Sequence, residues 1–230
     1  MPTPTPLPDR DPLIVLLTLL SLTTGIVDAT SVLGLGKVFT ANMTGNVVFL
    51  GFAAAGAPGF QWELYVLALI AFALGAVASG RLCRHFIGRS RRRWLVLSAT
   101  VEAGLLWIAA AVAVAAPSDT AAGLRMTLIA LVAIAMGARN ATVRQLNVPG
   151  MTTTVLTRTI TGLAADSHLA GGPGPDLGRR LRAILFLFVG AALGAFMVLH
   201  WGLALPLALA GTMVLAFTWG LARDEAEGEV

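Results

Sequence analysis

The chain has 230 residues, of which 57% are hydrophobic and 12% charged, with a net charge of +4. A soluble domain carries about 25% charged residues, so the composition excludes an ordinary water-soluble globule and points to an integral membrane protein. The basic residues cluster between apolar runs, where membrane orientation accounts for them, so nucleic acid is not an expected partner, and the single cysteine, Cys83, excludes an internal disulfide.

Residues 1–11 are proline-rich and are expected to form an extended tail. The run behind them lacks a basic n-region and a small-x-small cleavage site, which argues against a cleaved signal peptide. Eight apolar segments follow, at 12–35, 39–56, 62–84, 94–116, 121–144, 151–166, 181–200 and 202–222, and residues 223–230 form a polar tail expected to be disordered. A helix needs about 20 mostly apolar residues to cross hydrocarbon. Segment two opens with the polar stretch ANMTGN, and segment six, MTTTVLTRTITGLAAD, is short and rich in threonine.

Cytoplasmic loops are enriched in Lys and Arg. The strongest cluster, RLCRHFIGRSRRRW between segments three and four, is therefore placed inside. The next, GRRLR at 178–182, is also inside if segment six dips into the membrane and returns. The same treatment of segment two puts both termini in the cytoplasm. The expected architecture is an all-α, polytopic transmembrane helix bundle with six full crossings and two short broken, re-entrant helices; eight full crossings are the alternative.

The single transmembrane domain, 12–222, divides into similar halves, 12–116 and 121–222. GIVDAT at 25–30 aligns with GARNAT at 137–142, and MTGNVV at 43–48 with MTTTVL at 151–156. Gly75 and Ser79 match Gly190 and Gly194 as small-xxx-small pairs, which let helix backbones approach in lipid. With six crossings the halves run in opposite directions, an inverted repeat of the kind common in secondary transporters.

The motifs GxVDAxS from Gly25, VFxANMTGNxVxLG from Val38, GxxNAxxR from Gly137 and TTTxxT from Thr152 together resemble the YoaK-type family of bacterial membrane proteins, a domain-of-unknown-function family. The resemblance covers roughly Leu13 to Ala222. It implies a multi-pass inner-membrane protein and no established substrate. It would also put glutamine where this chain has Arg139, so it implies no role for that arginine.

Non-helical backbone survives in hydrocarbon only inside protein or beside water. Asn42, Thr44 and Asn46 favour helix starts, and Gly45 permits close approach. The stretch reads as a break followed by a short helix whose N-terminus lies at membrane depth. Pro149–Gly150 and Thr152, Thr153 and Thr154 repeat that form. These two starts, facing each other near the midplane, are the expected solute site, built from Asn42, Thr44, Gly45, Asn46 and Thr152–Thr154. The bland reading is that they cap two buried helix ends.

A carboxylate within a membrane span costs roughly 2.5–3.5 kcal/mol unless paired or hydrated. Asp28, its repeat mate Asn140, and Arg158 are therefore the expected gating or ion-coupling residues, with Arg139, Arg158 and Glu102 as candidate partners of Asp28. Arg139 and Arg144 lie near an inner end, where snorkelling suffices to explain them. For Glu102 the bland account is pairing within the bundle. His85, His168 and His200 show no metal-ligand spacing. No catalytic group, cofactor or metal is expected, since no nucleophile–base motif, P-loop or GxGxxG appears.

The leading expectation is a transporter or channel for a small polar or anionic solute in the bacterial cytoplasmic membrane. The lipid bilayer and a small-molecule solute are its expected partners. A non-transporting protein that binds or regulates a partner is the alternative.

Overall fold

The computed structural model describes residues 11–86, 90–115, 122–146, 156–172 and 177–227. Helix α1 spans Pro12–Gly34, α2 Met43–Ala54, α3 Trp62–Phe86, α4 Arg91–Ala115, α5 Ala122–Leu146, α6 Leu156–Ala165, α7 Leu177–Trp201 and α8 Ala204–Glu227. Among the described residues there is no strand. α1, α3, α4, α5, α7 and α8 are long and apolar enough to cross a bilayer. At 1.5 Å per residue the 12-residue α2 and the 10-residue α6 reach only about 18 and 15 Å, against about 30 Å of hydrocarbon. The fold is therefore a polytopic helical bundle of six long helices and two short ones. α8 runs on to Glu227, through part of the expected polar tail; Asp224–Glu227 is mostly strong helix formers, which extend a helix into water.

α1 begins where Asp11 accepts the Leu13 amide at 2.8 Å and Pro12 occupies the first turn, where its missing N–H costs nothing. It is the most buried of the six long helices. Its buried hydroxyls, on Thr18, Ser21, Thr23, Thr24, Thr30 and Ser31, each donate to a carbonyl three or four residues earlier at 2.5–3.0 Å, so no hydroxyl is stranded in an apolar setting. Past Leu35 the chain turns sharply at Gly36 and Lys37, both at positive φ (89° and 61°). Only at Lys37 does a side chain bear that strain, and its ammonium sits 5.0 Å from the centre of the Phe60 ring.

The long helices pack in preferred pairs: α1 on α7, α3 on α5 and α4 on α8, with α4 also on α5 and α1 also on α8. Glycines set the first two crossings. A Cβ at Gly25 would overlap the Leu187 carbonyl oxygen, and one at Gly190 the Leu22 carbonyl oxygen. Across α3 and α5, a Cβ at Gly75 would strike the Ile134 carbonyl and one at Gly137 the Phe72 carbonyl. Backbone thus lies directly on backbone at both crossings. Next to the second crossing, the Ser79 and Thr142 hydroxyls meet at 3.0 Å. α2 lies against α3, and α6 against α7.

The core falls into two apolar clusters. One holds Ile26, Leu35, Leu64, Tyr65, Leu106, Leu128, Met136 and Ala210; the other holds Leu13, Leu17, Leu20, Trp94, Ala99, Val143 and Val214. On each central helix the boundary between them falls mid-helix, between Leu20 and Ile26 on α1, Ala99 and Leu106 on α4, and Met136 and Val143 on α5.

Candidate functional site

The polar break begins at Asp28. Its Oδ1 accepts the backbone N–H groups of Thr40 (3.2 Å) and Ala41 (2.9 Å). Asp28 lies six residues before the end of α1, about 9 Å along the axis. The chain therefore re-enters the bundle to that depth before α2 starts, and α2 is too short to cross. Ser31 and Thr40 join their hydroxyls at 2.8 Å. Asn46, fully buried on the first turn of α2, closes the break from the other side. Its Oδ1 accepts the Phe39 amide (2.9 Å), and its Nδ2 donates to the Phe39 carbonyl (2.6 Å). One side-chain amide thus satisfies both backbone polar groups of one residue that no helix or sheet holds.

The expected site residues take different places. Asp28 and Asn46 converge on the same short segment, 39–41, and their bonds hold the backbone. Asn42 is the N-cap of α2 but makes no side-chain capping bond, and it is exposed, as is Thr44. At Gly45 the close neighbour is the Phe39 ring, which a Cβ would meet at 2.5 Å. Asn140 donates to the Met136 carbonyl at 2.9 Å. Thr152, Thr153 and Thr154 lie outside the described residues, as does the side chain of Arg158.

Two expectations about charge are corrected. Arg139 does not reach for the inner membrane surface, and its ion-pair partner is not Asp28. It is 2% exposed and pairs with Glu102 of α4, which is 4% exposed. Both its Nε (2.7 Å) and its Nη2 donate to the same oxygen, Glu102 Oε1. Its Nη1 donates to the Thr24 hydroxyl (2.9 Å) and the Leu20 carbonyl (3.3 Å) of α1. Arg139 falls on the face of α5 shared with Val132, Met136 and Val143, all buried. That rotation turns it into the bundle, where snorkelling is geometrically closed. Asp28, satisfied by two amides, has less need of a cation.

Glu102, Arg139 and Thr24 all sit at the boundary between the two apolar clusters, so they form a polar layer halfway through the bundle. A narrow cleft of about 30 Å³, partly open to solvent, reaches this layer from the side of Leu16, Leu95 and Leu146. Ser98, one turn before Glu102, lines it; the Ser98 hydroxyl is buried and has no hydrogen-bond partner. Among the described residues no cluster of His, Cys, Asp or Glu could hold a metal ion.

Six membrane-length helices around a buried ion pair, with a short helix entered through a stapled break, define a multi-pass α-helical membrane protein. The chain belongs to the family described as "Protein of unknown function (DUF1275)", which matches residues 16–219. It is 35% identical over 156 residues to the UPF0700 transmembrane protein YoaK of Bacillus subtilis (strain 168), an alignment covering 66% of this chain and 65% of that protein. The chain thus spans slightly less than two thirds of that relative's length. No solved structure matches the chain significantly.

Proposed function

We propose that the protein is a transporter or channel for a small polar or anionic solute, resident in the bacterial cytoplasmic membrane with both termini inside, and not an enzyme. One observation carries the reading: a buried Glu102–Arg139 pair lies in the middle layer of a membrane-spanning bundle, at the end of a cleft. Ionisable groups at that depth are expensive, and they mark solute and ion pathways. The helix break at 39–46 adds support, since transport sites are often built on discontinuous helices at membrane depth. So does the packing. The glycines that align between the two halves, Gly25 with Gly137 and Gly75 with Gly190, make matching backbone contacts at the α1–α7 and α3–α5 crossings, which fits two inverted repeats about a shared axis.

The test is flux. The purified full chain in vesicles is offered a panel of small anions and polar neutral solutes. Entry above protein-free vesicles for at least one of them, reduced at least tenfold by Arg139→Gln, is the expected result. A panel with no flux above the protein-free background refutes the reading.

A further inference from the structure

We propose that the outer face of α3 binds one anionic phospholipid: Arg81 and Arg84 hold the headgroup phosphate, and an acyl chain lies along Ile70, Leu74 and Val77. The inference goes beyond the transport reading and depends neither on it nor on which leaflet the site faces.

Register and depth lead to it. Residues 70, 74, 77, 81 and 84 follow the spacing of a single helical stripe, and all five are exposed. The other side of α3 carries Leu64, Ala68, Gly75 and Ser79, all buried, and Gly75 and Ser79 rest on α5. Arg81 and Arg84 therefore stay outside the bundle, where Arg139 turns in. Trp62, exposed at the start of α3, is of the residue type that anchors helices at a membrane interface. Arg81 lies about 28 Å from it along the axis, close to the roughly 30 Å of hydrocarbon. With Trp62 at one interface, Arg81 reaches the headgroup level of the other leaflet, and Arg84 stands about 4.5 Å further out, among the phosphates. From Ile70 to Arg81 is about 16 Å, the depth of one leaflet's hydrocarbon, so the apolar part of the stripe is as long as one acyl layer is thick.

Charge selects the headgroup. Among the described residues neither Arg81 nor Arg84 has a carboxylate within ion-pair distance. Two guanidiniums one helical turn apart present planar donor forks that suit a phosphate. Arg144 adds a further exposed cation at this depth, because the Ser79 and Thr142 hydroxyls meet at 3.0 Å two residues before Arg81 and Arg144. The arginines at the start of α4, Arg91–Arg93, are a poorer place for the lipid. α8 packs along α4, its Leu221 shares an apolar cluster with Trp94, and its last turn carries Asp224, Glu225 and Glu227. Among the described residues α8 does not touch α3, so the pair on α3 is clear of those acids. Membrane orientation asks only that basic residues collect on one side, and the negative end of α3 asks only for cations in its last turn. Neither requires them on the stripe that faces the acyl chains.

Phosphatidylglycerol is the probe, offered to the full chain in mixed detergent micelles with an equal amount of phosphatidylcholine of the same acyl chains, and bound lipid is counted by native mass spectrometry. Both lipids carry a phosphate, and only the first has a net charge. Each basic residue at an anionic lipid surface is worth roughly fivefold in binding, so Arg81 and Arg84 together should favour phosphatidylglycerol by about 25-fold. In Arg81→Gln with Arg84→Gln the preference should fall to about fivefold or less. Both side chains are exposed, so the substitutions leave the packing intact. Lys37→Gln with Arg125→Gln removes the same charge at the opposite end of the bundle, where Arg125 bonds Gln61 beside Trp62, and should keep the preference. An unchanged preference in the Arg81 and Arg84 variant, an equal loss in the Lys37 and Arg125 variant, or displacement of the bound lipid by inorganic phosphate at the lipid's own concentration each overturns the proposal. A wild-type chain that binds both lipids equally overturns it whatever the variants do.

Discussion

Replacing Glu102 by leucine isolates the energetics of the central layer. Arg139 makes four hydrogen bonds, two to Glu102 Oε1 and one each to Thr24 and Leu20. Glu102→Leu leaves Nε and one Nη2 proton without an acceptor, in a side chain that is 1% exposed. Hydrogen bonds to charged groups contribute roughly 1.5–3 kcal/mol each, so two of them give about 3–6 kcal/mol. The figure for stranding one partner of a buried ion pair, about 3–5 kcal/mol, agrees. Glu102→Leu should therefore destabilise the protein by about 3–5 kcal/mol. Adding Arg139→Met removes the stranded charge and should restore most of that loss, because apolar replacement of a buried pair is often neutral or stabilising by roughly 1–4 kcal/mol. Denaturant unfolding in mixed micelles, followed by the fluorescence of Trp94 and Trp107 on the same helix, measures both variants. A single variant within about 1 kcal/mol of wild type, or a double variant as unstable as the single, would refute the claim that this pair is buried and mutually dependent.

Asn46→Ala removes the partners of both the Phe39 N–H and the Phe39 carbonyl, and at about 1–3 kcal/mol for each unsatisfied buried group it should destabilise by roughly 2–6 kcal/mol; faster hydrogen exchange across residues 37–41 would register it, and unchanged exchange would contradict the staple. Asp28→Asn keeps an oxygen that can accept the Thr40 and Ala41 amides, so its stability should stay within about 1 kcal/mol of wild type, while Asp28→Ala, which strands two amides, should lose about 2–6 kcal/mol; equal losses from both would mean that the charge, not the acceptor, matters. Gly75→Val should abolish the α3–α5 crossing and cost more than the roughly 1–3 kcal/mol of ordinary overpacking, since the obstructing atoms are backbone. Gly104→Ala, where a Cβ meets nothing within 4 Å, should instead be neutral or stabilising by up to about 1 kcal/mol; circular-dichroism melts in detergent distinguish the two.

The crossings, the break before α2 and the small-residue contacts were all legible in the sequence, because each rests on local chemistry. Apolar runs of about 20 residues must be helices in lipid, and ANMTGN cannot continue one cheaply. The glycine pairs at 75 and 190 were readable for the same reason, and their actual neighbours are backbone carbonyls. The Glu102–Arg139 pair was not readable. Its partners are 37 residues apart, and whether they meet depends on how α4 and α5 are rotated about their axes. In a soluble helix an amphipathic stripe would reveal that rotation. In α5 both the bundle face and the lipid face are apolar, so the stripe is erased. The part played by Asp28 was hidden differently: counting charges suggested an arginine partner, whereas a carboxylate can also be satisfied by free amides at a chain break.

The glycine crossings also decide where the bundle can yield. At α1–α7 and at α3–α5, main chain rests on main chain, with no side chains between to change rotamer or slide. Each couple is in effect welded. α1 and α5, by contrast, barely touch, and Arg139 spans that gap: its carboxylate partner belongs to α4, whereas Nη1 is fastened to α1. Losing just the two Nη1 bonds would cut the direct polar tie between the welded blocks, leaving them joined through α4 and α8 with the salt link whole on one side of the parting line.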